Sequence, residues 1–570
     1  MTPSPGFTVA QHTTDAVVVG SGHNGLVAAA YLGRLGLRVT VLERLDRLGG
    51  ATVSAKLFPG VDANLSRYSY LVSLLPYSIV RDLELDLELR SRPVASYTPV
   101  LREGRADGFF VGRAPGSAPG QPAASPAESF SRLTGSDREW QRWQEFYELT
   151  ERAARVLAPT LLDPLIGRGQ AEKLLRQACG ARFWADFVER PLGEVVERTF
   201  ADDEVRGIVL TDALIGTQSH AHDPALLQNQ CFLYHVIGNG TGEWRVPVGG
   251  MGAVSGSLVR SAQKAGVHFV CGAEVTRIDS DGAQAMVSYT TEDGVQHLNT
   301  RYVLVNAAPT IMDRLLGRPV RPAPIGSQLK INMVVDRLPR FRSGLPAEQA
   351  FAGTLHLDES YSALRTAYEQ SERGEVPDPL PSEIYCHTLT DQTILSPAAA
   401  ARGMHTLTLF GLHTPPAVFA APGSTELAVQ RALAGLNKHL EEPIESCLAR
   451  DANGEPCLEA RTPLDLEQEL AMPGGNIFHG DLTWPWAEDS ARIGTWGVET
   501  GLANVFLCGA GAARGGAVSG IPGRAAVFAV IQDLQRRKPG GKGGSGRSAP
   551  EKPTSRQAQI SAFHPGPAKR

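Results

Sequence analysis

The chain has 570 residues, of which 42% are hydrophobic and 20% charged, and a formal net charge of −5. That length exceeds one simple core, so two or more domains are expected. The mild acidity excludes the electrostatic footprint of a nucleic-acid binder, the N-terminus lacks the features of a secretory signal or a mitochondrial presequence, and no apolar run is long enough for a transmembrane helix.

Residues 15–50 read as strand, glycine turn, helix, strand and acid. An apolar run ends at Gly20, as a buried parallel strand would. Gly20-Ser21-Gly22-His23-Asn24-Gly25 then has the spacing G-x-G-x-x-G. In such a turn Gly20 permits the tight bend, Gly22 lets backbone approach a pyrophosphate, and Gly25 lets helix and sheet close together. Free N–H groups at the helix start face the anion. Glu43 closes the second strand, where a carboxylate accepts hydrogen bonds from a ribose and repels a 2′-phosphate. The motif is thus read as a dinucleotide site; a glycine turn with no ligand is the alternative. Glu43-Arg44 followed by Gly49-Gly50 resembles the extended signature of FAD-binding two-dinucleotide-domain flavoproteins. On that resemblance FAD is favoured over NAD.

Residues 58–76 are aromatic and apolar, with Arg67 the only charge from 63 to 76; it needs a partner, either a cofactor phosphate or a core acid. Short strand-like runs occur in 77–113. Residues 114–127 are Pro, Ala, Gly and Ser with one Gln and read as an exposed flexible loop. From 128 to about 210 the pattern is helical, with aromatic anchors such as Trp143, Phe146 and Tyr147, either a plain helical core or the wall of a substrate tunnel. His220 and His222 would share one face of a strand, but solvated or core histidines are the preferred reading, and no metal site is expected.

Residues 244–248 read as a strand leading to Gly249-Gly250-Met251-Gly252 and a helix; this second glycine turn marks either a ligand contact or a plain turn. Strands follow to residue 306, with a hairpin signal at 291–294. Leu329, Ile331, Met333 and Val335 share one face of an edge or half-buried strand. Further strands at 383–388 and 405–410 predict a second, mixed sheet, the floor of a substrate cavity. His479 and Asp481 lie in a glycine-rich run, read as a loop beside the cofactor in preference to a catalytic pair. A last strand at 505–508 precedes glycines 509, 511, 515 and 516 and another helix, a third strand–glycine–helix unit; Arg524 is either a pyrophosphate contact or a surface charge. From Arg536 the tail holds nine Lys/Arg and one acid, read as a disordered solubilising tail, with a weak hold on an anionic membrane as the alternative. The seven cysteines include no C-x-x-C pair, which points to a reducing, cytoplasmic setting and against dithiol redox chemistry.

Taken together, the glycine turn, the Glu43–Gly50 segment, SRYSYLVSLLP, VPVGGMGAV, TPLDLEQELAMPGGNIFHGD and LCGAGAARGGAVSGIPGRAA resemble the phytoene desaturase-like FAD oxidoreductases, in the branch named for a pyridine nucleotide-disulfide oxidoreductase domain. Pro522, the 114–127 insert and the basic tail depart from that pattern. The resemblance implies an α/β two-domain flavoprotein. Its Rossmann-like FAD domain would be built from 1–95, 244–325 and 471–535, and its mixed-sheet and helical substrate domain from 96–243 and 326–470, ahead of the tail 536–570. It implies FAD contacts from Gly20, Gly22, Gly25, Glu43, Arg44, Gly49, Gly50, Arg67, Gly250, Met251, Val275 over the adenine, Gly509, Gly516 and Gly523. It also implies a hydrophobic small-molecule substrate and hydride transfer from a C–C (or C–N) bond to flavin, with the electron acceptor and the catalytic residues unassigned. Two alternatives stay open: an amine oxidase-like enzyme, for which Lys330 would be the water-binding lysine, and an FAD-bound regulatory or scaffold protein with little turnover.

Overall fold

The computed structural model describes residues 14–112 and 125–537. The membrane or solubilising role of the tail therefore lies outside the described residues, as does the 114–127 loop up to residue 124. At the end of that loop Ser125 is already a helix cap, accepting from the Glu128 N–H ahead of the helix Pro126–Thr134.

Two seven-stranded sheets organise the chain. In the first, Thr14–Val19 lies between Val39–Leu42 and Gly294–Val305, parallel to both. Val505–Leu507 adds a parallel strand beyond Gly294–Val305, and His268–Val270 another beyond Val39–Leu42. The helix His23–Arg34 packs against the central strand, and Ala16, Val17 and Val18 are wholly buried, so the run reads as continuously apolar. Gly294–Val305 is longer than its neighbours because its first half pairs in a hairpin with Ala285–Thr291. That hairpin turns between Thr291 and Gly294, where the sequence signals it.

The second sheet runs Leu458–Arg461, Leu329–Val335, His405–Gly411, Ser382–Cys386, Thr354–Leu357, Val94–Arg102, Arg105–Gly112. Its strands are antiparallel except where Thr354–Leu357 meets Val94–Arg102. Leu329–Val335 corrects one expectation, since it is neither an edge strand nor half-buried. It pairs on both sides and every residue is buried. Leu329, Ile331, Met333 and Val335 face the apolar core on one side. Lys330 faces the other way, into the central cavity, where hydrogen bonds replace its hydration.

Between residues 126 and 237 the chain is helical, around Trp143, Phe146, Phe187, Phe200 and Phe232. Phe146 sits within 6.0 Å of the Phe187, Phe200 and Phe232 rings. Aromatics of this size bury enough area to fix the helices onto the second sheet. His220 and His222 lie in a turn; His222 bonds Glu197 at 2.8 Å and the His220 ring meets Tyr368 at a tilt, 4.9 Å between centroids, so they form no shared face. No helix among the described residues is long and apolar enough to cross a membrane.

Candidate functional site

One cavity of about 1160 Å³ joins the two sheets. Val19, Leu42 and Asn306, at the ends of the three central parallel strands, line one part of it. Side chains of the second sheet and of the helical layer line the rest. Ligands of open α/β sheets bind at the carboxyl ends of the strands, so the position follows from topology.

At the strand end the glycines make room for backbone. Gly20 has φ +89°, and a Cβ there would meet the Asn306 carbonyl at 2.9 Å. A Cβ on Gly22 would meet Asn306 Nδ2 at the same distance. Asn306 donates from Nδ2 to the Gly20 carbonyl, tying the third parallel strand to the turn. The helix His23–Arg34 begins at Gly22 with no side-chain cap, which leaves first-turn N–H groups for an anion. His23 Nε2 and Asn24 Oδ1 are buried without hydrogen-bond partners. Both residues line the cavity, and burial followed by the nearby His479 lowers His23 to about 4, so it stands neutral. The Glu43 carboxylate faces the same space; it accepts from Ser21 N at 2.7 Å, Ser21 Oγ at 2.6 Å and Leu45 N at 2.9 Å. A hydroxyl donor such as Ser21 Oγ can be exchanged for a ribose hydroxyl. Arg44, Gly50 and Val275 line the cavity as well, with Arg44 Nη2 held by the Glu469 carbonyl.

The remaining expected contacts stand off the cavity wall. Gly25 packs against the Gly20 carbonyl, and Gly49 donates to the Ser21 carbonyl and hydroxyl. Arg67 answers its open choice in favour of acids: it pairs with Glu459 at 2.9 Å and reaches Glu469 at 3.8 Å. Gly250 and Met251 are corrected to a bracing role. Met251 N donates to Ser66 Oγ, the neighbouring Gly249 N–H donates to Asp391, and Met251 lies in the core. In the last segment the cavity is lined by Ala510, Ala517 and Val518 instead of Gly509, Gly516 and Gly523. Gly523 lets the helix Ile521–Arg536 cross the first helix, since a Cβ there would sit 2.1 Å from the Asn24 carbonyl. Arg524 is neither a phosphate contact nor a surface charge: it is buried, donates to the Leu162 carbonyl and lies over the Phe528 ring. His479 does line the cavity, with Nδ1 unpartnered and its pKa lowered by burial to about 4, while Asp481 is not on the wall.

The other part of the cavity was poorly signalled in the sequence. Tyr70, Trp143, Tyr147, Trp244, Tyr385 and Phe410 make an aromatic wall. Polar groups interrupt it at Arg92, Asp212, His356 and Glu383. Burial raises Asp212 to about 6 and Glu383 to about 8, the latter helped by Glu359. Trp143 and Tyr147 were anticipated as a possible tunnel wall, while the polar groups were signalled only by His356, Glu383 and Tyr385 alternating with apolar residues on short strands. Lys330 also lines this space. Its Nζ donates to the Ser66 and Tyr68 carbonyls at 2.8 and 2.9 Å and to Ser69 O at 3.5 Å. Burial pushes its pKa down, yet three acceptors need the three N–H donors that only the ammonium has. Lys330→Met would leave those carbonyls buried without donors and is expected to cost about 3 kcal/mol in chemical denaturation. A loss under about 1 kcal/mol would show that the segment finds other donors.

The family model for flavin-containing amine oxidoreductases matches residues 25–370. The chain belongs to that family. A Mycobacterium tuberculosis protein of unassigned function is 46% identical, over 92% of this chain and 98% of that protein. The mouse pyridine nucleotide-disulfide oxidoreductase domain-containing protein 2 is 31% identical, over 91% of this chain and 94% of its own length. This is the branch to which the motifs pointed. Among solved structures, wild-type putrescine oxidase bound to putrescine overlays with a TM-score of 0.53 at 18% identity, covering 92% of this chain and 100% of that one. The fold is thus the two-domain FAD oxidase fold, and the protein is an FAD-dependent oxidoreductase. Its residues fit that cofactor: the close-packed glycines, the uncapped helix start, the unpartnered His23 Nε2 and Asn24 Oδ1 and the Glu43 carboxylate all meet at one end of the cavity. Among the described residues the seven cysteines are all free, so the dithiol chemistry in the mouse protein's name has no paired thiols here.

Proposed function

We propose that the protein oxidises a C–C (or C–N) bond of an elongated, mainly apolar small molecule. The observation that carries this reading is the continuity of the cavity from the Gly20–Gly25 turn to the aromatic wall. Its volume exceeds the roughly 300–1,000 Å³ of ordinary ligand pockets, leaving room for substrate beside a dinucleotide. Bound FAD supplies the hydride acceptor. The chain supplies position. Glu43 and the first helix start hold the ribose and pyrophosphate end. Ala517 and Val518 bring the start of the last helix beside the cavity, where its dipole favours negative charge. Tyr70, Trp143, Tyr147 and Phe410 exclude water and hold an apolar chain against the cofactor. Oxidation of such a bond removes a hydride and a proton, and the neutral imidazoles of His23 and His479 on the cavity wall can accept the proton.

The amine oxidase-like reading draws support from the family and from the putrescine-bound fold relative. Lys330 weighs against it, because its three N–H donors are all directed at carbonyls. The scaffold reading would suit an exposed apolar patch with no enclosed cavity, and here the aromatics line an interior one. The test is anaerobic bleaching of the purified yellow protein by a panel of polyenes, acyl lipids and amines. Bleaching by an apolar polyene or lipid is expected; bleaching by amines alone would overturn the reading in favour of amine oxidation, and bleaching by nothing in favour of the scaffold.

A further inference from the structure

The cavity's aromatic wall is broken by a cluster that cofactor binding does not use. His356 stands on the strand Thr354–Leu357 and Glu383 is its direct cross-strand partner on Ser382–Cys386. Glu359 follows just beyond the end of the first strand. One ligand atom from each of the three lies within 4.8 Å of the others. His356 Nδ1 is 2.6 Å from Glu359 Oε2 and 3.7 Å from Glu383 Oε1. The side chains are 7%, 0% and 4% exposed. Thr211 Oγ1 holds the Glu359 carboxylate from behind at 3.1 Å, and Tyr385 OH does the same for Glu383.

We propose that His356, Glu359 and Glu383 bind a divalent transition-metal ion in the wall of the substrate cavity.

Two features point beyond a self-sufficient hydrogen-bonded cluster. Glu359 Oε1 is buried and has no partner, although its sister oxygen is used twice. Asp212, on the cavity wall and close enough to couple electrostatically with His356, adds a third carboxylate. Arg92, 5.5 Å above the Tyr385 ring, is the neighbouring cation, so the carboxylates outnumber it. Buried carboxylates are stable when paired or when they coordinate metal. One imidazole and two carboxylates suit a first-row divalent ion better than calcium or magnesium, which prefer oxygen alone. Thr211 and Tyr385 are the outer hydrogen-bond partners that orient such ligands. His356 and Glu383 face the cavity, so an ion would enter from it and keep a side open to water or substrate. The ligands come from two separate segments, His356 with Glu359 and then Glu383, and only strand register brings the two together. The site does not depend on the identity of the flavin substrate.

The test uses the flavin-loaded protein, stripped with a chelator and dialysed against Zn²⁺ or Mn²⁺, with metal read by mass spectrometry and flavin by absorbance. The expected result is one ion per chain, with affinity falling at least about tenfold in Glu359→Gln and in Glu383→Gln while flavin content is kept. The His222→Ala variant, which removes the exposed His222–Glu197 pair, should bind as the parent does. No saturable ion, or parental affinity in both glutamine variants, would overturn the proposal. Should those variants fail to fold, anomalous scattering at the zinc edge of the parent protein decides it: a peak about 2.0–2.2 Å from His356 and the two carboxylates supports the site, and its absence there refutes it.

Discussion

Gly25→Ala should yield a protein with little bound flavin and markedly reduced stability. The added methyl would sit 2.3 Å from the Gly20 carbonyl, 2.9 Å from Asn306 Nδ2 and 3.0 Å from Asn306 Cβ. The nearest of these is backbone, and Asn306 Nδ2 is held in place by its bond to the Gly20 carbonyl. Relief requires the turn to move away from the first helix, which displaces Gly20 and Gly22 together and breaks the Asn306 bond that ties the third strand to the turn. Overpacking of this kind costs about 1–3 kcal/mol by itself. The larger effect falls on the cofactor, because the N–H groups that would face the pyrophosphate belong to the turn being displaced. We expect the flavin-to-protein absorbance ratio of purified Gly25→Ala to drop at least about tenfold, matching the ~1.4 kcal/mol or more lost from binding. Gly36→Ala is the control. It too has positive φ, +76°, but nothing lies within 4 Å of its would-be Cβ. It should lose about 1 kcal/mol of stability and keep its flavin. Full flavin in Gly25→Ala would mean that the turn is not the cofactor cradle.

The contrast between those glycines explains what could be read from sequence. Gly20, Gly22 and Glu43 were legible because their demands are local: one turn, one helix start, one strand end. Gly250 and Met251 repeat the same local pattern, yet the Met251 N–H goes to Ser66, the Gly250 N–H to the Pro247 carbonyl and the neighbouring Gly249 N–H to Asp391. A strand–glycine–helix pattern shows that backbone must come close to something, and only tertiary structure says whether that is a ligand or a serine. Arg67 illustrates the same limit, since its partner Glu459 is 392 positions away. The alternation of residues 329–335 gave the right faces for the strand but the wrong exposure. A lysine on the second face suggests water, whereas here that face meets a cavity and three carbonyls. The metal-ligand cluster was hidden for a related reason. His356 and Glu383 are neighbours through strand register, which no single stretch of sequence displays.

The second large effect concerns acid. His413 is 1% exposed, both of its ring nitrogens lack partners, and Tyr368 meets it edge-on at 5.7 Å. Burial, with a smaller push from His220, lowers it to about 3. An unfolded histidine titrates near 6.5, so between those values the unfolded chain holds a proton that the folded chain refuses. Stability therefore rises with pH across that window and is lost as pH falls through it. From pH 6.5 to 4.5 this single side chain should remove about 2.3 kcal/mol. His235 and His439, each lowered to about 4 chiefly by burial, act in the same direction. Glu204 acts oppositely: burial raises it to about 7, so its folded form keeps a proton that the unfolded form gives up, and its contribution fades as pH rises. The opposition flattens the parent's pH profile, which makes a difference measurement the sharp one. His413→Leu carries a neutral apolar group at every pH. Any strain from its φ of +53° is independent of pH and cancels in the comparison. Denaturant unfolding of parent and variant at pH 7.5 and 4.5 should show the variant gaining about 2.5 kcal/mol on the parent at the lower pH. Equal displacement of the two proteins at both values would mean that His413 is not held neutral in the fold.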